Sequence, residues 1–361
     1  MGDVVRIFSD DKGNNLKNIL DSYGISTAAI EVDSGCYVDT YNIKLSRGSR
    51  FSKIENVLVD IGLELESHIP PIGYPVTSDG VYRLEVQRCP IHVMSFGDAL
   101  GATELTRGMY CPVNIGVTAD MSRLVVDLNK LPNLIIGGVP GSGKSMLLHS
   151  IILSCLKADA DLYLCDPKMV ELSLYDECHK TKDISYSAEE LRGTISCLIE
   201  RMHARLASLR RNRVRDIIEN NKRHISNGYS NGFFKRNSFR HMNPIVLVID
   251  EWADIFFQDN KVESLLCLLA QKGRAAGISV VIATQRPSAK VLSGLVKASF
   301  PGRIAMRSAS SIDSRVVLEK SGAERLRDPG VGLYLDPNRQ TPVMFRAPLI
   351  DNIAEEISRV G

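Results

Sequence analysis

Eight residues in the middle of the chain carry the clearest chemical signal: Gly138-Val139-Pro140-Gly141-Ser142-Gly143-Lys144-Ser145, followed by Met146. They satisfy the pattern G-x-x-x-x-G-K-[ST]. The apolar run Leu134-Ile135-Ile136 stands before them, and Leu147, Ser150 and Ile151 continue at helical spacing behind. Glycines let the backbone curl so that its N–H groups converge, and a helix N-terminus adds the positive end of its dipole. Residues 138–146 together then form a seat for a polyphosphate. Lys144 suits the β- and γ-phosphates of ATP, and the Ser145 hydroxyl suits Mg²⁺. The competing reading is a structural glycine turn, which the flanking strand and helix patterns disfavour.

Pro244 to Glu251 is an apolar strand ending in two carboxylates. At the end of such a strand, about a hundred residues after the lysine, an acid completes the Mg²⁺ shell, usually through water, and Asp250 takes that role. Glu251, one residue on, can polarise a water for in-line attack on the γ-phosphate. The next apolar strand, Ser279–Ala283, ends in Thr284-Gln285-Arg286. Gln285 can report ATP or ADP by hydrogen bonding if its strand lies between those of Lys144 and Asp250; otherwise it is a polar strand cap. Arg274, on a helix end before that strand, is either an arginine finger for a neighbouring subunit or a cation complementing the helix dipole.

In composition, 361 residues, 44% hydrophobic and 24% charged with a net charge of +2, read as an ordinary soluble protein with room for one large core and one small one; the α/β class comes from the strand–helix order below. No apolar run reaches the ~18 residues of a membrane span. The first eleven residues carry three aspartates and no signal-peptide core. Eight scattered cysteines, with no C-x-x-C, read as free thiols and imply a reducing, cytoplasmic home. The average charge hides a segregation: residues 201–243 hold eleven Lys/Arg against two acids, a net +9 that leaves −7 for the rest. Such a segment can neutralise the phosphates of a nucleic acid. It can equally be a solvated helix face with a mobile loop around Asn227–Asn237.

Residues 1–100 read as a small α+β domain. Helical spacing covers Leu16 to Tyr23 and Phe51 to Ile61, strands cover Tyr37–Leu45 and Val81–Val86, and Pro70-Pro71-Ile72-Gly73 reads as a turn. Lone His68 and His92 have no catalytic neighbours in sequence. A connector, Gly97 to Arg107, leads to the second unit, 101–361. There a hairpin (Val113–Val117 and Arg123–Leu128) precedes alternating strands and helices, the signature of a mostly parallel sheet covered on both faces. Strands are expected at Asn133–Gly137, Asp161–Cys165, Ile245–Ile249, Ser279–Ala283 and Arg303–Met306, with Gly332–Leu335 and Pro342–Phe345 as possible extensions.

Several stretches then point to one family. They are Ile115-Gly116 through Asp127-Leu128 to Leu131-Pro132, the glycine loop, Asp166-Pro167-Lys168-Met169-Val170-Glu171-Leu172, Ile249-Asp250-Glu251-Trp252-Ala253-Asp254, Gly273-Arg274-Ala275-Ala276-Gly277-Ile278, Ala283-Thr284-Gln285-Arg286-Pro287-Ser288 and Ser311-Ile312-Asp313-Ser314-Arg315. In this order and spacing, over about 115–335, the chain resembles the FtsK/SpoIIIE DNA translocases of the wider FtsK–HerA group. Residues 15–100 resemble, more weakly, the small α domain that precedes the motor in that family.

The resemblance implies a RecA-like P-loop ATPase in a ring, a hexamer, that pumps double-stranded DNA through its centre; the lack of a long apolar run adds the expectation of no membrane insertion. Arg274 falls on the family's arginine-finger position. Loops after the Gln285 and Met306 strands would line the pore, bringing Arg286, Lys297 and Arg315 near DNA phosphates; the basic segment 201–243 is a second candidate. Trp252 stands where phenylalanine is usual, and Ser311 where lysine is often found, which removes one potential phosphate contact. With no membrane spans, Pro/Gln-rich linker or winged-helix domain in the sequence, the expectation is a short motor of a phage, plasmid or integrated element. The rivals are a secretion or conjugative coupling ATPase moving protein or a protein–DNA complex, and a ring whose main role is docking DNA onto a partner complex.

Overall fold

The computed structural model describes residues 10–35, 37–76, 80–91, 93–97, 106–228 and 240–360. His92, residues 98–105 of the connector and residues 229–239 of the polar stretch lie outside them. The small N-terminal part runs α1 (Asp10–Ser22), β1 (Thr27–Ser34), β2 (Val38–Leu45), α2 (Phe51–Asn56), α3 (Leu58–Glu64), β3 (Ile72–Val76) and β4 (Val81–Gln87). Its strands form an antiparallel sheet in the order β1-β2-β4-β3. Tyr41, Ile43, Tyr82, Leu84 and Val86 point to one face, where they meet Leu16 and Leu20 of α1 and Ile54 and Ile61 of the next two helices. Alternation in a strand sends the remaining side chains to the other face. There Val38, Ile72 and Tyr74 join the core of the larger part of the chain.

Two features of this sheet depart from the sequence reading. β1 is a strand although Thr-Ala-Ala-Ile-Glu-Val-Asp-Ser has little apolar content, because it lies at the sheet edge and is held by pairing with β2. The expected turn at Pro70–Gly73 instead enters β3 at Ile72. Pro75 is tolerated there because β3 is the other edge strand, where a missing N–H costs no ladder bond on the open side.

The larger part adds β5 (Pro112–Thr118), β6 (Arg123–Asp127), β7 (Asn133–Gly137), α4 (Lys144–Lys157), β8 (Asp161–Cys165), β9 (Thr181–Ser185), α5 (Ala188–Arg211), α6 (Ile217–Gly228), β10 (Ile245–Ile249), α7 (Trp252–Gln258), α8 (Val262–Lys272), β11 (Ile278–Thr284), α9 (Gly294–Ser299), β12 (Gly302–Met306), α10 (Ser311–Leu318), β13 (Val331–Leu335), β14 (Val343–Arg346) and α11 (Ile353–Val360). Ten strands form one sheet in the order β6-β5-β14-β13-β12-β7-β11-β10-β8-β9. From β12 to β9 all neighbours are parallel, and from β12 back to β6 all are antiparallel. The expected sheet is therefore present, with the hairpin and both tail strands extending one side. β9 was not legible: Thr-Lys-Asp-Ile-Ser is polar, and as an edge strand it is covered on one side only.

β7, β8, β10 and β11 are buried at every residue, as strands covered on both faces must be. Alternate residues feed two different layers. Ile135, Leu247, Ile249 and Ile282 pack with Leu191, Ile195, Trp252 and Leu266 on one face. Leu134, Ile136, Val246 and Val281 pack with Leu147, Leu148, Ile151 and Ile152 of α4 on the other. α4 is thereby fixed at both its flank and its start, which is where the glycine loop delivers it. Among the described residues, no helix is long and apolar enough to cross a membrane.

Between the two parts lies a cleft of about 930 Å³, walled by Asn42, Arg83 and Glu85 on one side and by Arg123, Lys130 and Arg339 on the other. Burial pushes the Glu85 carboxyl up to about 7, with Arg83 opposing. The folded chain thus holds a proton that the unfolded chain releases near the usual carboxylate pKa. Glu85 contributes its full stability below that unfolded value and loses it as pH rises through 7. Glu85→Gln should therefore match the wild-type melting temperature at pH 4 and exceed it at pH 8. Equal melting temperatures at both pH values would remove Glu85 as a buried, late-titrating acid.

Candidate nucleotide site at the carboxyl ends of the parallel strands

In a parallel sheet the carboxyl ends of all strands open on one edge, and ligands gather there. β7, β8, β10, β11 and β12 each deliver a residue of interest to that edge: the glycine loop, Lys168, Asp250 with Glu251, Gln285, and Arg307. The loop after β7 has the backbone its glycines permit. Gly141 and Gly143 lie in the left-handed region, at φ 72° and 93°. Gly143 also admits a close neighbour, since a Cβ there would sit 2.5 Å from the backbone N of Gly330. The Gly330 N–H in turn donates to Ser142 O at 2.9 Å, and Val139 N–H donates to Arg307 O at 2.9 Å. Chain segments after β12 and before β13 therefore brace the loop. The buried Ser142 hydroxyl has no hydrogen-bond partner, an orphan that a phosphate oxygen would satisfy.

Lys144 opens α4 and is 3% exposed. Its ammonium donates to Asp250 Oδ1 at 2.6 Å and to the Asp250 carbonyl at 2.9 Å. Neither charge would be tolerated alone at that depth, so the pair stabilises both. Ser145 is half-buried beside it, next to Glu171. A hydrogen bond from His149 holds the Glu171 carboxyl below its usual range, with Ser145 also contributing. His149 is itself buried, its Nδ1 lying 2.9 Å from the Tyr175 hydroxyl. An ionised acid beside the Ser145 hydroxyl, with Asp250 near at hand, is a donor set that fits Mg²⁺.

Glu251 is almost fully buried, and its carboxylate turns toward β11. Oε1 accepts the Thr284 hydroxyl at 2.6 Å, and the Gln285 N–H lies 3.1 and 3.0 Å from the two oxygens. β11 does lie between β7 and β10, the arrangement that Gln285's reporting role demanded. The contact between Gln285 and Glu251 runs through the backbone of Gln285. Trp252 follows directly, fully buried, its indole N–H donating to Val291 O at 2.9 Å.

Arg274 is elsewhere. It lies in a one-turn 3-10 helix before β11, exposed, with its Nε donating to Asn129 O at 3.3 Å. Seven residues of extended strand, about 3.3 Å each, separate it from Thr284, so it stands roughly 20 Å from the glycine loop at the opposite edge of the sheet.

The basic segment borders that same far edge. Arg205 donates to Ala276 O at 2.8 Å, and Ile217 fills the space over Gly277. Part of its charge is already committed: Arg201 bonds the Tyr163 hydroxyl at 2.5 Å, and Arg215 and Arg223 both pair with Glu219. Lys235 and Arg236 lie outside the described residues. Arg286 and Arg315 follow β11 and β12 on the nucleotide edge, and both are exposed; Lys297 in α9 is half-buried and does not join them, since its carbonyl accepts from Arg303 at the start of β12, toward the far edge.

Besides Glu171, two more residues escaped the sequence reading. Lys168, after β8, pairs with Glu251 at 3.4 Å. The Arg307 guanidinium lies 4.0 Å from the position a Cβ on Gly141 would take, close above the loop. Position in the fold, not local pattern, brings both to the site.

The FtsK/SpoIIIE family profile matches residues 102–289, and the FtsK alpha domain profile matches residues 8–86. "DNA translocase FtsK" of Clostridium acetobutylicum is 32% identical over 352 residues, covering 96% of this chain and 45% of that protein. The protein of the same name from Pseudomonas aeruginosa is 30% identical over 364 residues, covering 94% and 44%. The chain thus spans somewhat less than half the length of these relatives. Among solved structures, the pCW3 conjugation coupling protein TcpA, in monomer form with ATPγS, superposes with a TM-score of 0.65 at 22% identity, over 97% of this chain and 99% of that one. The cytoplasmic domain of the type VII secretion ATPase EccC from Thermomonospora curvata gives 0.62 at 20%, over 74% and 34%. At such identities the two structures establish the shared P-loop ATPase fold. With the family profile covering more than half its residues, the chain belongs to the FtsK/SpoIIIE family.

Proposed function

We propose that this chain is the motor subunit of a ring that hydrolyses ATP to move double-stranded DNA. One observation carries the reading. Glu251 is hydrogen-bonded to the N–H of Gln285, and the next residue, Arg286, is exposed on the same edge. The chemistry of phosphate loss and a cation suited to a DNA phosphate are therefore one peptide apart.

Residues 138–146 hold the triphosphate. ATP entry gives Lys144 a new partner in the β- and γ-phosphates, releasing Asp250. Ser145 and, through water, Asp250 would hold Mg²⁺, whose positive charge offsets that of the phosphates. Glu251 orients and deprotonates the attacking water, while Thr284 and Gln285 register its change of partner. Arg286 and Arg315 track the DNA backbone, whose uniform charge carries no sequence information; Lys297, toward the far edge, is set apart from them.

Two observations favour a ring, with six members by family resemblance. Arg274 is too far from its own glycine loop to serve it, so as a finger it serves the next subunit. Met169, Val170 and Leu174 form an exposed apolar group on the nucleotide edge, which a neighbouring copy would cover. The seven described cysteines are all unpaired, which suits a reducing, cytoplasmic setting. The fold shared with TcpA and EccC sustains a second reading, in which the cargo is a protein or a protein–DNA complex.

Turnover with and without linear duplex DNA tests the main reading: stimulation is expected, and indifference to duplex would favour the export alternative. Mixing Arg274→Ala with Lys144→Ala subunits should restore activity above either alone, because some interfaces would combine an intact glycine loop with an intact finger. No recovery would confine Arg274 to its own chain. Arg286→Ala or Arg315→Ala should lower the salt dependence of DNA affinity by about one unit for each phosphate no longer neutralised. Replacing exposed Arg210 and Arg211 should leave that slope unchanged; the reverse pattern would move the DNA face to the basic segment.

A further inference from the structure

The Glu251 carboxylate has roughly four lone-pair sites. Three donors engage them: the Thr284 hydroxyl on Oε1 at 2.6 Å, the Gln285 N–H shared between both oxygens at 3.1 and 3.0 Å, and Lys168 Nζ on Oε2 at 3.4 Å. Lys168 engages Oε2, the oxygen that Thr284 leaves alone, and competes there with a water. The contacts differ in how easily they yield. Thr284 is buried and the Gln285 N–H belongs to the backbone, whereas Lys168 is a flexible side chain, 38% exposed and the most distant of the donors.

Lys168 does not reach Glu251 by chance. Asp166, fully buried at the end of β8, accepts the N–H groups of Lys168, Val170, Glu171 and Leu172 at 2.9–3.2 Å. These four bonds set the loop rigidly, with Met169 held in the left-handed region at φ 56°. From this anchor the Lys168 ammonium has a second acid within reach, Asp254 Oδ2 at 4.0 Å, one turn along α7. Its charge can shift from one carboxylate to the other without losing compensation.

We infer that Lys168 is a positioning residue that latches Glu251 from the β8 side in the resting protein, opposite the bonds from β11, and that hydrolysis requires its transfer to Asp254. The inference rests on Glu251 being the group that activates water. It makes Lys168 a restraint on turnover, opposite to the role of a cation that stabilises the transferred phosphate.

The sole tryptophan, Trp252, is the neighbour of Glu251 and provides a readout that does not depend on turnover. In Lys168→Gln without DNA, kcat should rise about two- to fivefold with KM for ATP unchanged, the scale of releasing one partly exposed ion pair. Stimulation by duplex should shrink accordingly, and Lys168→Arg, which keeps the charge, should behave as wild type. Trp252 emission of nucleotide-free Lys168→Gln should already match that of wild type with a non-hydrolysable ATP analogue. A fall in kcat would make Lys168 a catalytic cation and overturn the latch; unchanged kcat with unchanged emission would overturn it equally. Normal turnover in Glu251→Gln would instead remove Glu251 as the base, while Trp252 emission still reports whether the latch exists.

Discussion

Lys144, Asp250 and Glu251 are ionisable groups buried at one edge of a sheet whose central strands are mostly apolar. Leaving any one of them unpaired at that depth would cost several kcal/mol. Each is therefore matched: Lys144 with Asp250, and Glu251 with Thr284, Gln285 and Lys168. The pairings define a resting arrangement in which the residues suited to phosphate chemistry hold one another. In the proposed cycle, work begins when these partners are exchanged for those a nucleotide offers. That exchange ties ATP entry to a rearrangement of side chains on four neighbouring strands.

The insertion of β11 between the glycine-loop strand and the Asp250 strand gives the exchange a direction. Thr284 and Gln285 end β11 against Glu251, and its continuation emerges as the exposed Arg286. The opposite end of the same strand begins just after Arg274. One strand thus runs from a cation facing outward at the far edge to the acid at the near edge, a geometry suited to linking adjoining copies. The small domain is joined to the same apparatus. His68 meets Asp328 at 3.3 Å and Arg325 donates to Pro71 O at 2.7 Å, both in the segment whose Gly330 supports Gly143.

The parts of the molecule that were legible in sequence are those whose signal is local. A glycine loop between an apolar strand and a helix, and an apolar strand ending in two acids, each encode their own conformation. So do strands buried on both faces, which need no alternation to be recognised. The parts that were not legible owe their form to distant residues. β1 and β9 are polar edge strands held by pairing, and β3 hides behind Gly73 and Pro75 because only its edge position makes them acceptable. Lys168 sits in a stretch that carried the family resemblance, yet its partner is 83 positions away. The separation of the two basic surfaces onto opposite edges of the sheet likewise follows from topology, to which charge counting is blind.

Every step of the proposed cycle depends on Glu251 acting on water while Lys144 and residues 138–146 hold the nucleotide. The most direct measurement is ATP affinity and turnover of Glu251→Gln at saturating ATP, with and without linear duplex. Binding within a few-fold of wild type is predicted, with turnover slower by at least about 10²-fold, the typical contribution of a general base. Turnover close to wild type would contradict the assignment of Glu251 and the coupling built on it.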